Sequence, residues 1–203
     1  MAVQERSTAT QARIVSAART LFLGRNFADV TMEQVASSAE ATKGAVYHHF
    51  SSKEELYLAM LHADLNAKQA LFRRAVSMTG TCRERLARLT TDFFRLPRAE
   101  RQLITLVRRD INIFSDEIRE RLVRAYQAAL PDQVERILLD GISDNELETA
   151  DARLLSWSFV AIVETYLGPH ADRVFSGPEA KVDQVINLFL DGATSRRSER
   201  LQS

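Results

Sequence analysis

Apolar residues recur at helical spacing along almost the whole chain, and no segment alternates for long between apolar and polar residues. The first such stretch places five apolar residues on one face of a helix: Ile14, Ala17, Ala18, Leu21 and Phe22. This helix should end near Gly24 to Asn26, because Gly and Asn both tolerate the left-handed conformation that often follows a helix. The pattern predicts an all-α protein of about nine helices.

Two short helices are predicted next, each with its own start signal. Thr31 and Gln34 have the spacing of a capping box, in which each side chain bonds to the backbone N–H of the other residue. Val30 can pack against Val35 across the same helix end. Thr42 can cap the second short helix.

A long helix completes the N-terminal region. The second short helix buries Val46 and Phe50, which lie four residues apart on one face. Ser52 and Glu55 then form a further capping box and begin a helix that continues to about Met78. The N-terminal part is therefore expected to be a three-helix unit followed by a connecting helix.

Beyond Gly80 the spacing predicts a larger helical bundle. Five helices are expected near residues 82–95, 98–114, 116–139, 146–167 and 179–193. Pro131 lies inside the third of these, so that helix should be kinked or split. The expected domains are residues 1–52, a connecting helix of residues 53–78, and residues 79–203.

The composition limits the possible functions. Lys plus Arg and Asp plus Glu both number 27, so the chain as a whole is neither a strongly basic nucleic-acid binder nor a polybasic membrane protein. An anionic partner must therefore be bound by a local patch. No apolar run approaches the roughly 18 residues of a membrane helix, and the polar N-terminus lacks the core of a signal peptide. We expect a cytoplasmic protein with no membrane partner.

Residues 31–50 carry the pattern most informative about function. Two short helices separated by a turn of about three residues are typical of a helix-turn-helix. The outer face of the second helix consists of Lys43, Gly44, Tyr47 and His48. A cation, a phenol and an imidazole beside a Gly suit a groove lined by phosphates, since the Gly allows close approach of the backbone.

Individual contacts to double-stranded DNA can be assigned on this basis. We expect Lys43 and Tyr47 to reach phosphate oxygens, and His48 together with Thr42 to contact base edges. Thr31 and Lys53, at the starts of two other helices, are expected to add phosphate contacts. The alternative is that the helix-turn-helix is only a packing arrangement, because any small helical domain exposes some Lys and Tyr side chains.

The stretch from Ala18 to Leu56 resembles the N-terminal domain of the TetR/AcrR family of bacterial transcriptional regulators. The matching residues are Ala18, Leu21, Phe22, Phe27, Thr31, Val35, Ala36, Lys43, Gly44, Val46 to Phe50, and Ser52 to Leu56. The resemblance implies a homodimeric repressor, without cofactor, that a small-molecule effector of unknown identity releases from a palindromic DNA operator. The chain departs from the family at Glu40 and Asn26, where the family usually has Gly.

The same resemblance implies dimerisation through the last two helices. Independently, apolar residues cover nearly the whole circumference of the segment from Leu154 to Leu167, and such a helix must be covered on both sides. The residues expected at the interface are Leu154, Ala161, Val182, Ile186 and Phe189. The alternative is that the segment is the central helix of one larger bundle.

An effector site is predicted from two carboxylates on apolar helix faces, Asp110 and Glu164, since a buried carboxylate needs a partner. The residues expected to line it are Val107, Asp110, Ile111, Phe114, Tyr126, Trp157 and Glu164. Acids beside aromatic rings suit an aromatic or amine-bearing ligand. The alternative is structural: Asp110 pairs with a nearby Arg, and Glu164 lies in the dimer interface.

Two other functions compete with this interpretation. An enzyme is disfavoured because the four His residues lack metal-ligand spacing, no Gly-rich phosphate loop is present, and Cys82 has no evident partner base. We therefore predict no metal site, and Cys82 is expected to be buried. A protein that organises or occludes DNA without any effector remains an alternative to a ligand-responsive regulator.

Overall fold

The computed structural model describes residues 2–192, with the exception of the side chains of residues 2–5, 103 and 108. Over this range it contains eleven α-helices, two 3₁₀ helices and no strand. The α-helices are α1 (Ala2–Gly24), α2 (Met32–Ser38), α3 (Lys43–His49), α4 (Lys53–Val76), α5 (Cys82–Phe94), α6 (Arg98–Asp110), α7 (Asp116–Ala129), α8 (Pro131–Ser143), α9 (Ala152–Thr165), α10 (Pro169–Val174) and α11 (Pro178–Asp191). The 3₁₀ helices are Phe27–Asp29 and Ile111–Ile113. The predicted all-α fold is confirmed.

The helices form two compact units. The first unit contains the chain up to Ala70 together with Pro97–Ala129, and so includes α1 to α3, most of α4, α6 and α7. The second contains Leu71–Leu96 and the chain from Leu130 onward, with α5 and α8 to α11. These units differ from the domains expected from the sequence, which group residues by function and remain a prediction.

An aromatic cluster lies in the core of the first unit. It consists of Phe22, Phe27, Tyr57 and Phe114, with ring centroids 4.7 to 5.9 Å apart. Phe114 follows α6, yet it packs against the ring of Phe27 in the first 3₁₀ helix and the ring of Tyr57 in α4. The cluster therefore joins the helices around α2 and α3 to the end of α6.

In the second unit α8 packs on α9, and α5 packs on both α8 and α11. Gly141 allows the close approach of α8 to α5, because a Cβ atom at this position would lie only 2.8 Å from the Cβ of Cys82. The backbone N–H of Cys82 donates a hydrogen bond to the Glu146 carboxylate at 2.6 Å. The side chain after α8 thus caps the start of α5.

Several helix boundaries differ from the prediction. The segment 116–139 is split, and Pro131 becomes the first residue of α8, where its missing N–H has no structural cost. The helix expected from residue 146 begins only at Ala152, because Asp151 caps it by accepting a hydrogen bond from Leu154 N at 3.0 Å. The short helix α10 was not predicted. The pair Gly168-Pro169 indicates a break, but Pro169 also begins a helix.

The end of α1 is only partly as predicted. The helix does end at Gly24, but the expected left-handed conformation is wrong: Asn26 has φ −68° and ψ 155°, and φ is not positive at Gly24. Instead of ending α1, Asn26 precedes the first 3₁₀ helix, and its side-chain amide donates to the Asp29 carboxylate at 3.2 Å. Asn in place of Gly therefore causes no strain here.

The capping box expected at the start of α4 forms only in part. Glu55 N donates to Ser52 Oγ at 3.1 Å, as predicted. The Glu55 carboxylate, however, accepts from both the backbone N and the Oγ of Ser51, at 2.7 and 2.6 Å. Two donors on Ser51 hold the carboxylate more strongly than the single N–H of Ser52 would.

Membrane spans, metal-binding clusters and reactive cysteines were each sought among the described residues. No helix in residues 2–192 is long and apolar enough to cross a membrane, and no group of three His, Cys, Asp or Glu residues in that range could hold a metal ion. Cys82 is buried as predicted, and burial together with the nearby Glu146 carboxylate raises the pKa of its thiol to about 11. At neutral pH the thiol is therefore protonated and a poor nucleophile.

Candidate nucleic-acid interface

Helix α2 is anchored at its start by the predicted capping box. Gln34 N donates to Thr31 Oγ1 at 3.2 Å, and Thr31 N donates to Gln34 Oε1 at 3.0 Å. Val30 and Val35 are both completely buried. A helix of seven residues is marginal by itself, so this cap and the buried apolar face are what hold α2 in place.

The turn after α2 forces Glu40 into the left-handed conformation, with φ 51°. Ala41 N donates to Ala36 O at 3.0 Å and Glu40 N donates to Ser37 O at 3.2 Å, which together form a Schellman motif. This motif requires positive φ at the residue after the C-cap, a conformation that Gly adopts without steric cost and that other residues adopt with strain. Glu40 bears that strain and exposes its carboxylate beside α3.

Helix α3 has the predicted division into a buried and an exposed face. Thr42 Oγ1 accepts a hydrogen bond from Ala45 N at 3.1 Å, so Thr42 is the N-cap. Val46 and Phe50 are buried, and Tyr47 is 44% exposed. Lys43, Gly44 and His48 also face solvent. The faces are confirmed, while the contacts of the outer residues with DNA remain predictions.

Two of the predicted phosphate-binding cations already have partners within the chain. The Lys43 ammonium pairs with the Glu33 carboxylate of α2. The Lys53 ammonium donates to Phe27 O at 2.8 Å and to Ala28 O at 3.4 Å, and lies 4.4 Å from the centre of the Phe27 ring. A phosphate would have to compete for either cation. The sequence did not reveal these partners, because ten or more residues separate them from the Lys.

Comparison with known proteins identifies the helix-turn-helix. Residues 14–60 match the family model of bacterial regulatory proteins of the tetR family. The transcriptional activator FasR of Mycolicibacterium smegmatis is 30% identical over 151 residues, which cover 74% of this chain and 67% of FasR. This chain belongs to the TetR family.

Solved structures resemble this TetR-family regulator over most of its length. The transcriptional regulator FadR from Bacillus subtilis, in complex with stearoyl-CoA, has a TM-score of 0.75 and 18% identity, covering 90% of this chain and 99% of FadR. AibR in complex with isovaleryl coenzyme A and operator DNA has a TM-score of 0.75 and 17% identity, covering 89% and 98%. At these identities the likeness shows the fold alone. As a TetR-family transcriptional regulator, the protein binds DNA and is not an enzyme.

The residues predicted to form the effector site of this TetR-family regulator are divided between the two units. In the first unit Val107, Asp110 and Phe114 are buried and Ile111 and Tyr126 are half-buried. In the second unit Trp157 is 47% exposed and Glu164 is half-buried. None of the seven lines either of two open cavities in the first unit, one of about 470 Å³ beside Arg109 and one of about 370 Å³ beside Glu40. Their role in effector binding remains a prediction.

Asp110 has the structural partners that the alternative interpretation required. Arg109 Nε and Nη2 donate to its two carboxylate oxygens, each at 2.7 Å, and the Tyr57 hydroxyl donates to the same carboxylate. Burial, followed by this hydrogen bond, raises the pKa of Tyr57 well above its usual value. Arg109 Nη2 also donates to Phe22 O and Arg25 O, both at 3.3 Å. The group ties the end of α6 to α1 and α4.

The residues predicted at the dimer interface of this TetR-family regulator differ in accessibility. On α9, Leu154 is 67% exposed and Ala161 is also exposed. On α11, Val182 and Ile186 are buried within the chain itself, and Phe189 is half-buried against Phe159, with ring centroids 5.0 Å apart. The face of α11 that carries Val182 and Ile186 packs in the core of its own unit, so these two residues offer little surface to a partner. The dimer interface itself remains a prediction.

Proposed function

We propose that this TetR-family regulator is a homodimeric repressor that binds a palindromic operator through α3 and releases it when a small-molecule effector binds. The observation that carries this proposal is the outer surface of α3. A capped helix with a fully buried Val46 presents Lys43, Tyr47 and His48 to solvent together. These side chains combine phosphate-binding and base-reading groups on a helix that fits a major groove.

The exposed side of α9 supports the homodimer. Leu154, Trp157 and Ala161 follow one another at spacings of three and four residues, so they form one apolar stripe on the helix surface. Contiguous exposed apolar surface marks an interaction site. Two copies related by a two-fold axis would present two α3 helices to half-sites about 34–36 Å apart, or a multiple of that distance.

For the effector we propose an acyl-CoA thioester. FadR and AibR, whose fold this chain shares, are found with stearoyl-CoA and isovaleryl coenzyme A. The aromatic or amine-bearing ligand suggested by Asp110 and Glu164 is the second class to test, although the pairing of Asp110 with Arg109 and Tyr57 satisfies that carboxylate within the chain. We also propose a cytoplasmic location, since the proposed operator is DNA.

The proposal is tested by selecting binding sites from random duplexes with the purified protein. We expect an inverted repeat, and enrichment of asymmetric sites or of none would contradict the dimeric mode. The selected duplex is then titrated with acyl-CoA thioesters of several chain lengths and with aromatic amines, while operator release and thermal stability are measured.

Three results distinguish the possible functions. Release by acyl-CoA supports the proposal, and release by amines alone replaces the effector class. No release by either class favours a protein that occludes DNA without sensing. The relative FasR is named an activator, so repression and activation must also be distinguished. Transcription is measured from a promoter that carries the operator. A repressor should reduce the amount of transcript when it is added.

A further inference from the structure

The ion pair between Lys43 and Glu33 connects the two helices of the helix-turn-helix on its outer surface. Glu33 lies in the first turn of α2 and Lys43 is the first residue of α3. Their side chains are 57% and 61% exposed, so the pair stands in solvent rather than in the core. The acid therefore occupies the same ammonium that the proposed operator contact needs.

The surroundings of each residue favour the pair in the free protein. The hydrogen bond from Lys43, followed by a backbone hydrogen bond, lowers the pKa of Glu33, so the carboxylate is ionised at neutral pH. The position of Glu33 in the first turn of α2 also suits an anion. Lys43 stands at the start of α3, where a cation is disfavoured by the helix dipole, and a carboxylate partner offsets this.

A DNA phosphate and the Glu33 carboxylate are both anions that bind the same cation. The ammonium has three N–H donors, so it could in principle bind both, but this would bring the carboxylate next to the phosphate and cause like-charge repulsion. Alternatively, the Lys43–Glu33 pair breaks before the phosphate binds. The favourable free energy of that pair is then lost, and DNA binding is weaker by the same amount. In both cases Glu33 opposes binding.

We propose that Glu33 is an intramolecular competitor for the operator phosphate that Lys43 contacts, and that it limits both the affinity and the salt dependence of DNA binding. This inference rests on the proposed role of Lys43 in operator binding. When a Lys that is already neutralised by an acid binds a phosphate, the freed carboxylate takes up a cation from solution. That uptake partly cancels the counterion release that makes binding salt-dependent.

The test is a double-mutant cycle with the selected operator duplex, using Glu33→Gln, Lys43→Ala and the double variant. Affinity is measured by fluorescence anisotropy between about 50 and 200 mM salt. Glu33→Gln should tighten binding about two- to five-fold at the lower salt, the factor expected for an exposed ion pair. Its plot of log K against log salt should be steeper than that of the wild type by up to about one unit for each subunit of the proposed homodimer.

The essential result is the dependence of this gain on Lys43. In the Lys43→Ala background, Glu33→Gln should change affinity by less than it does in the wild type, and the salt slope should stay the same. Glu54→Gln is the matched control, because it removes the same charge from an exposed Glu in the first turn of α4. Circular dichroism melting curves verify that each variant is folded.

The other outcomes distinguish a failure of the Glu33 inference from a failure of the proposed Lys43 contact. Weaker binding by Glu33→Gln would show that Glu33 positions Lys43 for DNA and would overturn the inference. An equal gain with and without Lys43, or in Glu54→Gln, would reduce it to general charge repulsion and overturn it too. In all these cases the proposed function stands. If Lys43→Ala leaves affinity and salt slope unchanged, the proposed contact itself is wrong.

Discussion

Helices α3 and α9 both present one face to solvent, and the chemistry of those faces is opposite. The exposed face of α3 carries Lys43, Tyr47 and His48, whereas that of α9 carries Leu154, Trp157 and Ala161. A polar face is stable in water and can meet a charged partner without prior association. An apolar face exposed over about two turns favours permanent coverage, as in a stable dimer.

The two helices also differ in what holds them. Helix α3 has seven residues, and depends on its Thr42 cap and on the burial of Val46. Helix α9 has fourteen residues and buries Phe159, Val160 and Val163 on the side opposite its exposed stripe. Helix α3 is thus held by its neighbours with a polar face free for the proposed operator. Helix α9 is a packed element with an apolar outer face, which a second copy would cover in the proposed homodimer.

The largest effect is expected where a charge is introduced into the apolar stripe. Leu154→Glu should abolish the dimer, because a carboxylate would lose its hydration in an apolar interface. Sedimentation should show a monomer, and operator affinity should fall by about 100-fold or more when two half-sites are no longer bound together.

Leu139→Glu on α8 is the matched control for that variant. Leu139 is also an exposed Leu, at 51%, so the same substitution tests the location rather than the change in polarity. The control should remain dimeric and bind the operator as the wild type does. A dimer that survives Leu154→Glu would refute the assignment of the α9 stripe as the interface.

A change at the buried Asp110, away from both exposed faces, should alter stability. Asp110→Asn leaves Arg109 and Tyr57 without their carboxylate, and should lower the free energy of unfolding by about 2 kcal/mol. Tyr57→Phe removes one hydrogen bond while Arg109 keeps its ion pair, and should cost only about 1 kcal/mol. Urea unfolding measures both. Equal midpoints for the wild type and Asp110→Asn would show that the pairing contributes nothing to stability.

On the polar face, single substitutions should weaken DNA binding and leave the fold intact. Lys43→Ala should reduce operator affinity about tenfold and lower the magnitude of the log K against log salt slope by roughly one unit per subunit, about two for the proposed homodimer, since each subunit loses one phosphate contact. Tyr47→Phe should weaken binding with an unchanged slope, because no charge is removed. An unchanged slope in Lys43→Ala would mean that Lys43 does not touch the DNA backbone.

The smallest effect concerns the turn that orients α3 against α2. Glu40→Gly should raise the free energy of unfolding by about 1 kcal/mol, because Gly adopts positive φ without steric cost. Asn145, the other non-Gly residue with positive φ among the described residues, provides the control. Asn tolerates this conformation, so Asn145→Gly should gain much less. Equal changes in the two variants would show that left-handed strain is not what Glu40 contributes.

Much of the helix-turn-helix was predictable because its determinants are local. The Thr31–Gln34 capping box, the Thr42 cap, the end of α1 at Gly24 and the burial of Val46 all depend on residues within one or two turns of each other. Hydrogen bonds and faces at such spacing follow from helix geometry alone. The error at Asn26 arose because a left-handed residue was assumed where the chain enters a 3₁₀ helix instead.

The C-terminal half was less predictable because apolar residues outnumber the positions that one helix face can bury. The sequence shows that the segment from Leu154 to Leu167 is apolar almost all round, but it does not show which side faces outward. Only the packing of α8 and α11 against α9 leaves Leu154 and Trp157 exposed. Val182 and Ile186, which the sequence predicts at the dimer interface, are already buried within the chain itself.

The all-α fold, the helix-turn-helix and the polar face of α3 can be read from the sequence, since each follows from spacing along a single helix or turn. Tertiary structure alone decided the partners of the charged groups: Glu33 for Lys43, Phe27 O for Lys53, and Tyr57 with Arg109 for Asp110. Except for the adjacent Arg109, these partners lie between 10 and 53 residues from the groups they meet. Such pairs form only after helices pack, and the position and orientation of a packed helix depend on the whole core rather than on any local pattern.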